Sequence, residues 1–162
     1  MHFALLDEEV ATLRGLSDES DRLTFLQEGL EETYFADARD YMAESDNAWD
    51  AIHRALTGGE LSFDSGTYPL SHTVLGGELL YSGHDYIMSL KTAEQTRDVS
   101  AALAAIDKPD FRRRYFQIDA QSYGAALSDD DFEYTWEWFV EVRKLFAQAA
   151  KDRRAVLFTA DQ

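Results

Sequence analysis

Apolar residues recur along this chain at spacings typical of helices in some stretches and of strands in others. Near the start, Phe3–Leu6 predicts a short strand, and Asp7 is placed to cap an amphipathic helix that follows it. The next stretch is ambiguous, because Leu23–Leu26 favours a strand whereas Gln27–Phe35 favours a helix. The opening part of the chain therefore predicts one strand, one helix and a segment whose type stays open.

The clearest helical pattern runs over residues 48–57. Four residues at helical spacing form one apolar face, and Gly58 follows as a helix stop. These four residues are Trp49, Ile52, His53 and Leu56. The pattern predicts a short amphipathic helix with a Trp and a His on its apolar side.

Strands and helices alternate in the second half of the chain. Leu79–Tyr81 and Tyr86–Leu90 predict two strands, and Thr92 with Gln95 forms a capping box at the start of a helix. Ser128 is placed to cap the longest helix, which extends to about Lys151, and residues 155–159 predict a final buried strand. This alternation predicts an α/β layered fold.

The composition fits one compact domain, since 162 residues with abundant aromatic side chains can fill one core. The absence of cysteine excludes disulfides, thiolate zinc sites and a cysteine nucleophile. The first residues lack the pattern of a signal peptide, and no apolar run approaches the roughly 20 residues of a membrane span. We therefore expect a soluble cytoplasmic protein with no membrane association.

The charge is strongly negative, with 31 acidic against 15 basic residues and a formal net charge of −16. Such a chain repels nucleic acid, so no nucleic-acid partner is expected, and it attracts basic partners. The alternative is that the acidity only supports solubility.

Several of these stretches together resemble the YfbM-like family of bacterial proteins, whose function is unknown. The stretches that carry the resemblance are Trp49–His53 with Leu56–Gly58, Pro69–Ser71 and Val74–Glu78. Relatives often carry a lysine directly before the signature tryptophan, where this chain has Ala48. The resemblance implies one domain over residues 1–162, a three-layer α/β sandwich with a small central mixed sheet flanked by helices. It implies no reaction.

A ligand site is predicted around the signature helix. Trp49 would stack on a ligand, and His53 would act as a general base or a hydrogen-bond donor, with Asp46 and His72 as partners. His53 is therefore the candidate catalytic residue. The alternative is that His53 is a core residue whose ring N–H bonds a backbone carbonyl, and that Asp46 caps the helix instead.

No metal ion or cofactor is predicted. His53, His72 and His84 could together bind zinc or iron, but no spacing such as His-Glu-x-x-His supports this. The run Ser82–Asp85 contains Ser, His and Asp, yet adjacency in sequence is not the geometry of a catalytic triad.

An acidic row is predicted on the last long helix, preceded by three aspartates. Its members are Asp129, Asp130, Asp131, Glu133, Glu137 and Glu141. The row is either a solvated helix face or a docking surface that steers association with a basic protein.

Two functions follow from these patterns. The first is a non-catalytic acidic binding protein, an inhibitor or immunity protein that engages a basic protein partner. The alternative is a small-molecule-binding protein or enzyme with a cleft at the Trp49 and His53 helix. The sequence predicts no oligomeric state.

Overall fold

A computed structural model describes residues 1–81, 83 and 86–161, which form five strands and a set of helices. The strands are β1 (His2–Leu5), β2 (Met42–Ala43), β3 (Glu78–Tyr81), β4 (Tyr86–Lys91) and β5 (Ala155–Asp161). The α-helices are α1 (Asp7–Gly15), α2 (Glu19–Phe25), α3 (Glu32–Asp37), α4 (Ala48–Thr57), α5 (Ala93–Ala104), α6 (Lys108–Tyr115), α7 (Ala120–Tyr123) and α8 (Asp129–Lys151). A π-helical segment (Leu26–Glu31) joins α2 to α3, and 3-10 turns occupy Arg39–Tyr41 and Leu70–Thr73.

The strands form one open sheet in the order β2-β1-β5-β4-β3. Every strand pair that the structure describes is antiparallel, which corrects the predicted mixed sheet. Only four residues separate β3 from β4, so these strands must run in opposite directions, since a parallel connection needs a dozen residues or more. β5 lies between β1 and β4 and runs opposite to both.

Helices cover both faces of the sheet, so the predicted three-layer α/β sandwich is confirmed. Alternate residues of each strand point to opposite faces. On one face Ala4 and Phe158 belong to a core shared with α4, α5 and α8, and α6 packs against α4 and α8. On the other face Phe3 and Leu157 pack with the buried side chains of α1 and of residues 26–34.

The predicted helix over residues 48–57 is confirmed, and Gly58 ends it in the left-handed conformation, with φ of +90°. The capping box at Thr92 and the cap at Ser128 are also confirmed. The predicted cap at Asp7 is wrong: α1 begins at Asp7, and the Glu9 carboxylate accepts a bond of 2.6 Å from the Leu6 amide.

The ambiguous stretch is helical from residue 19 to residue 37. Leu26, Leu30 and Tyr34 recur every four residues and are buried against the sheet, so tertiary packing selects the helix over the local strand propensity. Among the helices that the structure describes, none combines the length and the apolar character required to span a bilayer.

Candidate functional site

A cavity of about 480 Å³, which we call the acidic cavity, lies between α4, α8 and the ends of β4 and β5. Four carboxylates line it, together with three half-buried aromatic rings. The carboxylates are those of Glu31, Glu44, Asp46 and Asp161, and the rings are those of Trp49, Tyr86 and Trp138. Its volume falls in the range of pockets that bind small ligands or inserted side chains.

Asp46 is held at this cavity in an unusual backbone conformation. Its φ is +40°, a left-handed value that costs a non-glycine residue conformational energy. The Tyr134 hydroxyl donates to the Asp46 carboxylate over 2.7 Å, which fixes the direction of that side chain. Asn47, not Asp46, is the N-cap residue of α4, and its side chain makes no capping bond. Asp46 therefore contributes its carboxylate to the cavity and does not cap α4.

The carboxylates of the acidic cavity have no lysine or arginine partner in the part of the chain that the structure describes. The Met1 ammonium also lines the cavity and donates to the Thr159 carbonyl over 2.6 Å; burial lowers its pKa to about 6, and the negative charges of Glu31 and Glu44 oppose that shift. Burial also raises the pKa of Glu31, while the Met1 ammonium and the Tyr86 hydroxyl, 3.5 Å from its Oε1, oppose that shift.

The aromatic walls are fixed by neighbouring rings. Trp49 lies on the first turn of α4, and its ring packs against Phe158 with 5.8 Å between centroids. Trp138 contacts Tyr134 one turn earlier on α8, edge to face at 6.2 Å. Each tryptophan is anchored on one side while its other side contributes to the cavity wall.

His53 is fully buried and is not among the residues that line the acidic cavity. Its Nε2 lies 3.0 Å from the Ser62 carbonyl and 3.0 Å from the Ser65 hydroxyl, which ties α4 to the loop that follows it. Burial lowers the pKa of His53 to about 4, so the ring is neutral at neutral pH. This geometry matches the alternative in which the ring bonds a backbone carbonyl in the core.

His72 is half-buried in the 3-10 turn before β3 and is also absent from the cavity wall. Its Nδ1 lies 3.1 Å from the Ser71 hydroxyl, and its ring meets Tyr68 edge to face at 5.0 Å. The structure therefore brings together Asp46 and Trp49 of the predicted ligand site, and it places His53 and His72 elsewhere.

Several residues of the acidic cavity were not predicted as site residues. Glu31, Glu44 and Asp161 are scattered in sequence and meet only through the fold. The sequence could have indicated Trp138, because with Tyr134 it forms an aromatic pair outside the main apolar stripe of α8. Such a pair on a helix that already has a complete apolar face indicates a second contact surface.

Within residues 1–81, 83 and 86–161, no group of three or more His, Asp or Glu side chains is arranged to hold a metal ion. His84, together with Ser82 and Asp85 of the Ser-His-Asp run, lies outside the described residues. The predictions that involve these three residues therefore stay predictions.

The acidic row on α8 is partly neutralised by nearby bases. The contacts are Arg112 to Asp129 at 2.5 Å, Lys108 to Glu133 at 2.5 Å and Lys144 to Glu141 at 2.6 Å. Asp131 accepts hydrogen bonds from the hydroxyls of Tyr115 and Tyr123. Asp130 and Glu137 form no salt bridge within the described part of the chain. The row thus offers less free charge than the sequence suggests.

A buried amine lies in the core beside the sheet. Lys91 is fully buried, and its ammonium nitrogen donates to the Val74 carbonyl and to the carbonyl and hydroxyl oxygens of Ser89. It makes no salt bridge with any described carboxylate. Burial therefore holds the pKa of Lys91 well below its usual range.

Lys91 should make the stability of the fold rise with pH. Between its folded pKa and about 10, the unfolded chain binds a proton that the folded chain does not, so stability increases by up to about 1.4 kcal/mol per pH unit. Lys91→Met removes the amine and should flatten this rise. Urea unfolding of both proteins at pH 7, 8 and 9 measures the free energy of unfolding at each pH. The same pH dependence of that free energy in both proteins would contradict the prediction.

Comparison with known proteins identifies the family. A family model described as a domain of unknown function, DUF1877, matches residues 1–159, and the chain belongs to this family. Its structure is similar to that of YfbM from Escherichia coli, a protein of unknown function, with a TM-score of 0.63 and 19% sequence identity over 99% of this chain and 98% of that chain. No functionally curated protein matches the sequence. The family resemblance inferred from the sequence is therefore confirmed. It establishes the fold and assigns no activity.

Proposed function

We propose that this chain is a non-catalytic binding protein that engages a basic protein partner, in the manner of an inhibitor or an immunity protein. The observation that carries the proposal is the acidic cavity, whose four carboxylates form no salt bridge with a lysine or arginine in the described part of the chain. Carboxylates that no lysine or arginine neutralises create a negative potential on that surface, which attracts a basic partner and orients it during association. The net charge of −16 extends this attraction beyond direct contact.

The cavity also supports a second candidate function, the binding of a small cationic molecule. A volume of about 480 Å³ holds such a ligand, and aromatic rings beside carboxylates suit a cation. An enzymatic role has less support, because His53, the candidate general base, is buried in the core and does not line this cavity.

The proposal predicts a partner that is captured at low salt and released at high salt, since surface charge attraction is screened by ions. The measurement is affinity capture from the native cell lysate with the unmodified protein and with two variants of equal charge. The first variant combines Glu44→Gln, Asp46→Asn and Asp161→Asn, all at exposed cavity residues.

The matched control combines Glu8→Gln, Asp21→Asn and Glu60→Gln, which removes the same charge from exposed residues outside both the acidic cavity and the acidic row on α8. We expect a stoichiometric basic protein with the unmodified chain and with the control, and little or none with the cavity variant. Capture of no basic protein at low salt, or capture that salt does not change, would overturn the proposed function.

A further inference from the structure

We propose that His2 triggers an acid-sensitive clamp in the core, which holds residues 73–76 against the sheet while its ring is neutral and releases them when the ring is protonated. The clamp lies outside the acidic cavity and works without a partner protein. It is built on a run of four consecutive carbonyl groups, each of which faces a buried side-chain donor.

The segment that carries these carbonyl groups connects the 3-10 turn to β3, and residues 74–77 belong to no helix or strand. Val74 and Leu75 are buried, so the carbonyl groups here need partners from the protein. Three side chains, which we call the carbonyl clamp, supply them. The bonds are His2 Nε2 to the Thr73 carbonyl over 3.1 Å, Lys91 Nζ to the Val74 carbonyl, and Ser89 Oγ to the Leu75 and Gly76 carbonyls over 2.7 and 3.0 Å.

The carbonyl clamp is built on the central strands of the sheet. His2, Phe158 and Ser89 are register partners across β1, β5 and β4. Lys91 lies two residues after Ser89 on the same face. The centroid of the Phe158 ring lies 4.8 Å from that of His2 and 5.5 Å from Lys91 Nζ. Because β1, β5 and β4 are each paired on both sides, residues 73–76 are the part of this contact that can move.

The His2 ring suits the core only in its neutral form. A carbonyl oxygen is only an acceptor, so Nε2 carries the hydrogen and Nδ1 is the bare nitrogen of the neutral ring. Nδ1 is buried and has no hydrogen-bond partner among the described residues. Protonation would place a second N–H and a positive charge at a position without an acceptor, which is costly in a core.

The charges that act on His2 oppose its protonation as well. Burial lowers its pKa most, and the Met1 ammonium and Lys91 lower it further, whereas the bond to the Thr73 carbonyl raises it. Lys91 also lowers the pKa of His72 in the 3-10 turn and of His53 in α4, in each case after burial, the largest cause.

The other elements packed around the clamp bring no carboxylate that would stabilise a charged His2 ring. On α4, Arg54 is paired with Asp50. The buried side chains of α5 and α8 carry no ionisable group. Glu31 and Glu44 act on the Met1 ammonium.

Opening of residues 73–76 is therefore coupled to uptake of a proton. The closed ring has a pKa well below 6.5, whereas a ring that water reaches has the ordinary value. Below pH 6.5 the open form binds a proton that the closed form does not, so the open population grows by up to about tenfold per pH unit. The segment leads into β3, an edge strand, where local opening disturbs few other contacts.

Native-state hydrogen exchange followed by mass spectrometry tests the clamp at pH 7, 6 and 5, with exchange times scaled to the intrinsic rate at each pH. We expect the protection of residues 70–81 to fall below pH 6.5 by up to about tenfold per pH unit. Addition of 1 M urea at pH 5 should leave this protection unchanged and lower that of α8, because only global unfolding exposes a large surface.

His2→Gln assigns the effect to the ring, because glutamine can still donate to the Thr73 carbonyl but does not titrate. Residues 70–81 should then keep the same protection from pH 7 to pH 5. The matched control is His72→Gln, which removes a half-buried histidine of the same turn that is not part of the carbonyl clamp. This control should show the same loss of protection on acidification as the unmodified protein.

Three results would each overturn the proposal. The first is protection of residues 70–81 that does not change between pH 7 and pH 5. The second is a loss that urea enlarges as much as it does in α8, which is the behaviour of global unfolding. The third is an equal pH dependence in His2→Gln and in the unmodified protein. The first two need no substitution, so they decide the matter even where His2→Gln does not fold.

Discussion

Gly77→Ala is expected to lower the free energy of unfolding by about 4 kcal/mol, the sum of backbone strain and steric overlap. Gly77 has a φ of +124°, a backbone conformation that side chains rarely adopt. A Cβ atom there would lie 2.4 Å from the Leu90 carbonyl oxygen, which belongs to β4 and cannot move without disturbing the sheet. Chemical denaturation followed by circular dichroism measures the loss.

Gly15→Ala is the matched control for that substitution. Gly15 is exposed at the end of α1, and a Cβ atom there would meet nothing within 4 Å. The control should unfold within about 0.5 kcal/mol of the unmodified protein. A Gly77→Ala protein as stable as this control would contradict the prediction, because it would show that the backbone before β3 can move away from the Leu90 carbonyl at little cost.

His53→Ala is expected to lower the free energy of unfolding by about 3 kcal/mol, because it leaves a cavity in a fully packed part of the core. It also removes the ring nitrogen that bonds the Ser62 carbonyl and the Ser65 hydroxyl. His72→Ala, at a half-buried histidine, is the control and should cost less than about 1 kcal/mol. Equal losses for the two histidines would contradict a core role for His53.

His53 also gives stability a definite dependence on pH. The folded pKa of about 4 lies below the ordinary value of 6.5, so the unfolded chain binds the proton first. The stabilising contribution is complete above pH 6.5 and is lost as pH falls toward 4, by about 3 kcal/mol in total. His2 is fully buried and its pKa is also lowered, so it adds to the same slope.

His53→Gln separates the two histidines, because glutamine can still donate to the Ser62 carbonyl but does not titrate. Urea unfolding between pH 4 and pH 7 should give a shallower dependence for this variant than for the unmodified protein. An unchanged slope would mean that His53 does not titrate differently in the folded and unfolded states.

Local patterns predicted the elements of this fold better than their arrangement. The helix over residues 48–57, the capping box at Thr92 and the cap at Ser128 depend on neighbouring residues, and the sequence contains that information directly. The short connection between β3 and β4 already required an antiparallel pair, whereas the direction of β1, β2 and β5 depends on the path of the whole chain and had to come from the structure.

The residues of the candidate site also differ in whether the sequence alone could predict them. Asp46 and Trp49 are close in sequence and could be predicted together, whereas Glu31 and Asp161 join them only when the sheet and helices assemble. The role of His53 was ambiguous, because a histidine on an apolar helix face gives the same sequence pattern whether it is buried in the core or lines a cleft. Only its full burial distinguishes the two.

The short outer strands of the sheet have a consequence for how this protein behaves at high concentration. β2 has two residues, and β3 has four with an irregularity between Leu79 and Tyr81, while the longer strands β4 and β5 are paired on both sides. Exposed strand edges are the usual templates for fibril growth and for exchange of strands between molecules. Edges this short and irregular offer few free backbone groups, so the folded protein is expected to resist amyloid-like aggregation even in concentrated solution.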